Sequence, residues 1–192
     1  MFYLFRCETV PDMSSVPAVK TTEYPLSPYG TGPVCQFRFV QVPGKGIITD
    51  ITAFERDPYL AAGQSDPLGD SAAAVAFDFY PGTGSAPVYA AFNSAGKGGI
   101  YSKTGLLITP LGTDTYAGVD EQGWYWGIRF CITEECLTAK YGNCSFAPGD
   151  HLRGNAYKFL CGDNGHLGAI APMKDTDIFS EDNLTDFSVR AY

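Results

Sequence analysis

Between Trp124 and Ile132 the chain reads W-Y-W-G-I-R-F-C-I, and large apolar side chains fall on every second residue. Successive side chains of a strand point to opposite faces, so Trp124, Trp126, Ile128, Phe130 and Ile132 share one face. The stripe predicts a strand with one dry side, and Trp124, at its mouth, is the member expected to stay exposed. Tyr125, Arg129 and Cys131 then stand on the opposite face, where an arginine is either solvated or lines a groove on the sheet.

The same pattern recurs along the chain. Strands are expected at Val34 to Val42, Gly46 to Glu55, Ala72 to Tyr80, Val88 to Asn93, Gly99 to Thr104, Leu152 to Cys161, Leu167 to Ala171 and Phe187 to Ala191. Weaker ones are expected near Leu106 to Pro110 and Thr113 to Val119. Turns rich in Gly and Pro (22 and 13 residues) separate them. One short helix is expected at Glu134 to Lys140, with Thr133 as its cap and acidic residues in its first turn. The fold class that follows is all-β: an antiparallel β-sandwich, immunoglobulin- or jelly-roll-like, with at most one or two short helices. Residues 1–192 are expected to form a single domain, with 1–33 an extended lead-in that wraps the surface from residue 8 to 33, and with both strand-like termini in the body of the sandwich.

Composition narrows the partners. The formal charge is −8, which excludes the basic footprint that nucleic acid or an anionic membrane surface requires. No apolar run approaches the roughly 18 residues of a membrane span. The apolar Met1 to Phe5 stretch is too short for a secretory leader and lacks a basic segment before it. The expected location is therefore cytoplasmic for the chain as it stands, or extracellular where a leader has been removed. The cysteines at 7, 35, 131, 136, 144 and 161 show no metal or redox spacing and are expected to be mostly reduced, buried small hydrophobes.

The strand from Leu152 to Cys161 carries the clearest chemistry. Arg153, Asn155, Tyr157 and Phe159 fall on one face, and Gly154, Ala156, Lys158 and Leu160 on the other. A guanidinium fork, an amide and a ring together suit a polyhydroxylated ligand. The strand from His166 should pair with this one across the Gly162 to Gly165 turn. The loop from Glu55 to Ser71 gathers carboxylates, among them Asp57, Asp66 and Asp70. Oxygen-rich loops can hold structural calcium, although the spacing fits no EF-hand. Two other readings use the same residues: a glycoside-active enzyme working through Glu55 and Asp70, or a haem domain ligated by His166 and Met173.

Several motifs occur in an order that resembles family 9 carbohydrate-binding modules. Glu55-Arg56-Asp57-Pro58 is followed by Asp66-Pro67 and Asp70-Ser71. The strand A-V-A-F-D-F-Y-P is similar to the family's D-S-x-x-E-x-F region, and Tyr89 to Gly96, which includes Asn93, is similar to Y-x-N-F-E-x-N-x-x-G. R-G-N-A-Y-K-F-L-C-G-D, H-L-G-A-I-A-P and I-F-S-E-D-N-L-T-D-F then resemble R-G-N-F-Y-K-C-G-D, H-F-G-S-W-N-P and F-H-x-P-x-x-F-G. The resemblance spans about residues 34 to 192. It implies a β-sandwich related to sugar-binding and, more distantly, DOMON domains. It also implies non-catalytic binding of a mono- or oligosaccharide clasped by aromatic rings, with structural calcium nearby. Ile170 stands where the family often has Trp. The expected ligand-binding residues are Trp124, Arg129, Arg153, Asn155, Tyr157, Asn93 and His166, with Asp57, Asp66 and Asp70 as metal ligands.

Overall fold

One long sheet doubles back on itself to enclose its own core. The computed structural model describes residues 1–60, 67–142, 146–161 and 165–192. Among them the strands are β1 (Phe2–Arg6), β2 (Val19–Lys20), β3 (Cys35–Val42), β4 (Gly46–Ala53), β5 (Ala72–Asp78), β6 (Val88–Asn93), β7 (Gly98–Tyr101), β8 (Leu107–Pro110), β9 (Thr113–Asp120), β10 (Gly123–Thr133), β11 (His151–Leu160), β12 (His166–Ala169) and β13 (Thr185–Ala191). The sheet runs β8-β7-β6-β5-β11-β13-β1-β3-β4-β10-β9, with β12 beside β11 and β2 beside β3. The helix α1 (Glu134–Tyr141) is capped as expected: the Thr133 hydroxyl accepts from the Cys136 amide at 3.2 Å.

Two arms of this sheet face each other. Phe37 and Phe39 of β3, Ile47 and Ile51 of β4, and Trp126, Ile128, Phe130 and Ile132 of β10 come from one arm. Val75 and Phe77 of β5, Phe92 of β6 and Ala156 of β11 come from the other, and all are buried in one cluster. Rings meet across the layer, with Phe92 and Phe130 at 4.4 Å between centroids and Phe39 edge-on to Phe77 at 5.3 Å. Such pairs add roughly 0.5–1.5 kcal/mol each to the burial itself. The all-β sandwich read from the sequence is the fold observed.

Every residue of β5 is buried because both its faces are covered. Ala73, Val75 and Phe77 face the inter-arm core, while Ala72, Ala74 and Ala76 pack outward beneath Tyr89, Tyr157 and Phe159. A strand that is dry on both sides loses its alternation, which explains the alanine-rich run.

The strand-like N-terminus lies in the body of the sandwich: Phe2–Arg6 forms β1, paired in parallel with both β13 and β3 in the middle of the sheet. The lead-in that follows it is corrected, because it is more than a surface wrap. Met13 and Val16, in the following segment, are buried against Val40, Val42 and Ile48. Burying apolar area on an otherwise open sheet face is the driving force that pulls this segment in.

Candidate functional site

A polar cluster ties the two arms together at one end of the core. Lys158 projects from β11 toward the inter-arm layer and is fully buried. Its ammonium donates to Ser71 Oγ at 2.6 Å and to His166 Nε2 at 2.9 Å, and it pairs with Glu55 Oε2 at 3.2 Å. Ser71 Oγ and Trp126 Nε1 also donate to the Glu55 carboxylate, at 2.7 and 3.0 Å. All three ammonium hydrogens therefore have acceptors, which buried charge requires. Burial pushes the Glu55 carboxyl up, but Lys158 and the bonds from Ser71 and Trp126 outweigh it and hold the group below its usual range. Burial, then the Lys158 charge, lowers His166 to about 4, so its ring is neutral. The lysine contact on Nε2 leaves the ring proton on Nδ1.

The face of β11 that carries Arg153, Asn155 and Tyr157 is not an open ligand floor. The segment after Pro172 folds over it, and the three side chains are spent on that segment. Arg153 Nη2 donates to the carbonyls of Glu181 and Leu184 at 2.8 and 3.3 Å, and Asn155 Nδ2 to that of Asn183 at 2.8 Å. Asn155 and Tyr157 are both fully buried, Tyr157 within an apolar cluster joined by Phe179 and Ile178. What remains open is the end of this face beside β12. There a cavity of about 520 Å³ is walled by Phe159, Leu167, Ile178 and Phe179, with His166, Thr104 and Asp177 supplying polar groups.

The other arm carries a second opening on its outer face. Arg38, Asp50 and Arg129 stand in one cross-strand row on β3, β4 and β10. Arg129 Nε donates to Asp50 Oδ1 at 3.1 Å, while Arg38 Nη1 lies 3.6 Å from Oδ2. Farther along, Tyr116 of β9 covers Gly127 of β10, and Tyr125 of β10 covers Gly118 of β9, so each ring lies on a glycine of the neighbouring strand. Arg38, Asp50, Arg129 and the two tyrosines line a groove of about 500 Å³ together with Gln36, Asp120 and Gln122. Gly127 is indispensable to the arrangement, because a Cβ there would meet the Tyr116 ring at 2.2 Å. The ring cannot swing aside cheaply, since its hydroxyl bonds Thr52 Oγ1 and the Ile51 carbonyl at 2.8 and 3.0 Å. Gly127→Ala should therefore lower stability by roughly 1–3 kcal/mol, read as a lower denaturant midpoint at unchanged slope. A loss below a few tenths would mean that the ring is free to move.

The remaining expected residues fall elsewhere. Trp124 is 55% exposed, with the Arg56 guanidinium 5.9 Å from its ring centre. Asn93 is buried; its Nδ2 donates to Asp70 at 2.8 Å and its Oδ1 accepts from the Ala95 and Lys97 amides, so it shapes the β6–β7 turn. Asp57 points to solvent beside Arg56 while Asp70 is buried against Asn93, so the two do not converge on one cation. Asp66 and the Gly162-to-Gly165 turn, apart from Gly165, lie outside the described residues, which gather no group of three or more potential metal ligands. With His166 Nε2 facing an ammonium and Met173 packed against the apolar cluster, these two side chains do not form a haem-ligating pair. Glu55 and Asp70 are likewise committed to structural partners rather than set across a cleft. Lys158 and Asn183 escaped sequence reasoning. For Lys158 the signal was present: it is the one charged residue on the core-facing side of its strand.

This is the fold of the family 9 carbohydrate-binding modules. Two solved structures of such a module from Caldicellulosiruptor kristjanssonii, in complex with cellotriose and with glucose, superpose with TM-scores of 0.68 and 0.66 at 10% identity, covering 100% of this chain and 94% and 96% of theirs. A Bacteroides uniformis structure, described as that of a proposed carbohydrate-binding protein, matches at a TM-score of 0.66 and 14% identity over 98% of both chains. No protein-family model matches the sequence, and no curated protein does.

Proposed function

We propose that the chain is a saccharide-binding domain without catalytic activity, and that the cavity beside β12 seats a sugar ring. One observation supports this above the rest: a cavity of about 520 Å³ opens on a sheet face in a chain whose fold matches, end to end, a module solved in complex with glucose and with cellotriose. Its walls are of the kind a sugar needs. Phe159, Leu167 and Phe179 offer apolar surface to the C–H face of a pyranose. The Thr104 hydroxyl, the His166 imidazole and the Asp177 carboxylate offer the few convergent polar groups that fix orientation. Arg153, Asn155 and Tyr157 serve at one remove, by holding the segment that carries Asp177 and Phe179 over the opening.

The test is calorimetric titration of the whole chain with glucose and cellotriose. Saturable binding is expected, and His166→Ala and Phe179→Ala should each weaken it roughly tenfold, about 1.4 kcal/mol. Because burial keeps His166 neutral down to about pH 4, affinity should hold steady from neutral pH to about pH 5 and fall as the ring gains a proton below that. A midpoint near the ordinary histidine value would place His166 in water rather than in the site. Absence of binding by either sugar would remove the cavity reading.

A further inference from the structure

We propose a second saccharide site, separate from the cavity on β12: the groove on the outer face of the β3-β4-β10-β9 arm, taking a neutral oligosaccharide. It shares only the ligand class with the cavity reading and does not depend on it.

The first argument is the state of Arg129. Its Nε is pinned to Asp50, and Arg38 steadies the same carboxylate while donating its own Nε to the Val16 carbonyl at 3.1 Å. Asp50 is 6% exposed at its side chain and Arg129 is 42% exposed. Among the described residues, the terminal nitrogens of Arg129 have no hydrogen-bond partner. A guanidinium held in place by one nitrogen, with its planar fork turned to an open groove, is prepared for paired hydroxyls. Nothing needs to be ordered when the ligand arrives, which lowers the entropic cost of binding.

The second argument is the wall. Tyr116 and Tyr125 lie on Gly127 and Gly118 in reciprocal cross-strand pairs, and the Tyr116 hydroxyl is already spent on Thr52 and Ile51. The two ring planes meet at 62° with centroids 6.4 Å apart, so the pair forms an angled aromatic wall, anchored at Tyr116, against which the C–H face of a pyranose can pack.

Length and charge specify the ligand. From Arg129 to Tyr125 is four residues of strand, about 13 Å at ~3.3 Å each, which exceeds a single sugar ring. The charged residues lining the groove are Arg38 and Arg129 against Asp12, Asp50 and Asp120, two positive and three negative. A net charge of that sign repels phosphates and uronates and leaves neutral hydroxyl-rich chains.

The experiment is an amide-shift NMR titration of the whole chain with cello-, xylo- and malto-oligosaccharides from mono- to hexasaccharide. At least one series should shift Gly118, Tyr125, Gly127 and Arg129, saturably and more tightly as the chain lengthens. Arg129→Lys keeps the charge beside Asp50 but removes the fork, and should weaken that binding roughly tenfold or more. Tyr125→Ala should do the same, and His166→Ala should leave it unchanged. Shifts confined to β12 and Phe179 would overturn the groove and leave the cavity reading standing. No shift with any sugar would overturn both. Undiminished binding by a folded Arg129→Lys variant would overturn the role of the fork, and with it the proposal.

Discussion

Lys158→Met should cost the fold about 3–5 kcal/mol at neutral pH, the usual penalty for removing one partner of a buried ion pair. The loss comes from what is left behind. Glu55 would keep the bonds from Ser71 and Trp126 but lose its counter-charge, and His166 would lose the donor on Nε2. The pH dependence separates this from a simple packing defect. In the wild type the Glu55 carboxyl is held below its usual value, so its contribution is fully present above pH 4.5 and is lost as pH falls through the folded-state value. In the variant, burial acts without the lysine and the carboxyl shifts upward, so lowering the pH neutralises the stranded charge and shrinks the difference between the two proteins. Combining Lys158→Met with Glu55→Gln should recover much of the stability, since well-packed neutral groups replace an ion pair at little cost. Denaturant midpoints across pH would decide it. A loss under about 1 kcal/mol that ignores pH would show that the pair behaves as an exposed one.

That network also shows where sequence reading reaches its limit. β10 was legible because one of its faces is dry and the other is wet, so Trp126, Ile128, Phe130 and Ile132 announce themselves by period. Val88–Asn93 and the Thr133 cap were legible for local reasons as well: a run bounded by turns, and a hydroxyl three residues before the amide it caps. The strand character of β1 was legible but its pairing was not, because a five-residue apolar segment says nothing of partners near Val40 and Phe187. Placing Lys158 on the core side of β11 was within reach, but its acceptors come from three distant segments that only the doubled sheet brings together. The mixture of Arg153, Asn155 and Tyr157 was read correctly as one face and incorrectly as an open one. Such a face binds whichever polar groups reach it first, and here those are the carbonyls of residues 181, 183 and 184. Arg129 is the converse: its exposure on the face opposite the core follows from strand parity alone.

Asn183→Ala should be the second large effect, because this one side chain folds the segment that roofs the cavity. Asn183 is 1% exposed. Its Oδ1 accepts from the Lys174 and Asp175 amides at 2.7 and 3.2 Å, and its Nδ2 donates to the Asp175 and Asp177 carbonyls at 3.1 and 2.9 Å. Its own carbonyl receives Asn155 Nδ2. At about 0.5–1.5 kcal/mol net for each bond, truncation should cost roughly 2–4 kcal/mol, with some groups regaining water at the surface. Asn183→Asp is the sharper variant. It keeps the acceptor for the two amides, loses all three donations, and sets a buried carboxylate against Asp175, whose Oδ1 accepts from the present amide nitrogen at 3.2 Å. Asp175 is itself held ionised by hydrogen bonds from the Ser180 hydroxyl and the Asp177 amide. The aspartate variant should therefore be at least as unstable as the alanine one at neutral pH, and should recover on acidification as the new carboxyl protonates. Hydrogen exchange locates the damage. If Asn183 organises the roof, amides from residue 174 to 180 lose protection in both variants, while those of β4 and β10 keep theirs and sugar affinity at the cavity falls with the roof. If protection is lost evenly through the sheet, Asn183 supports the sandwich as a whole, and the segment over the cavity owes its shape to Arg153 and Phe179 instead.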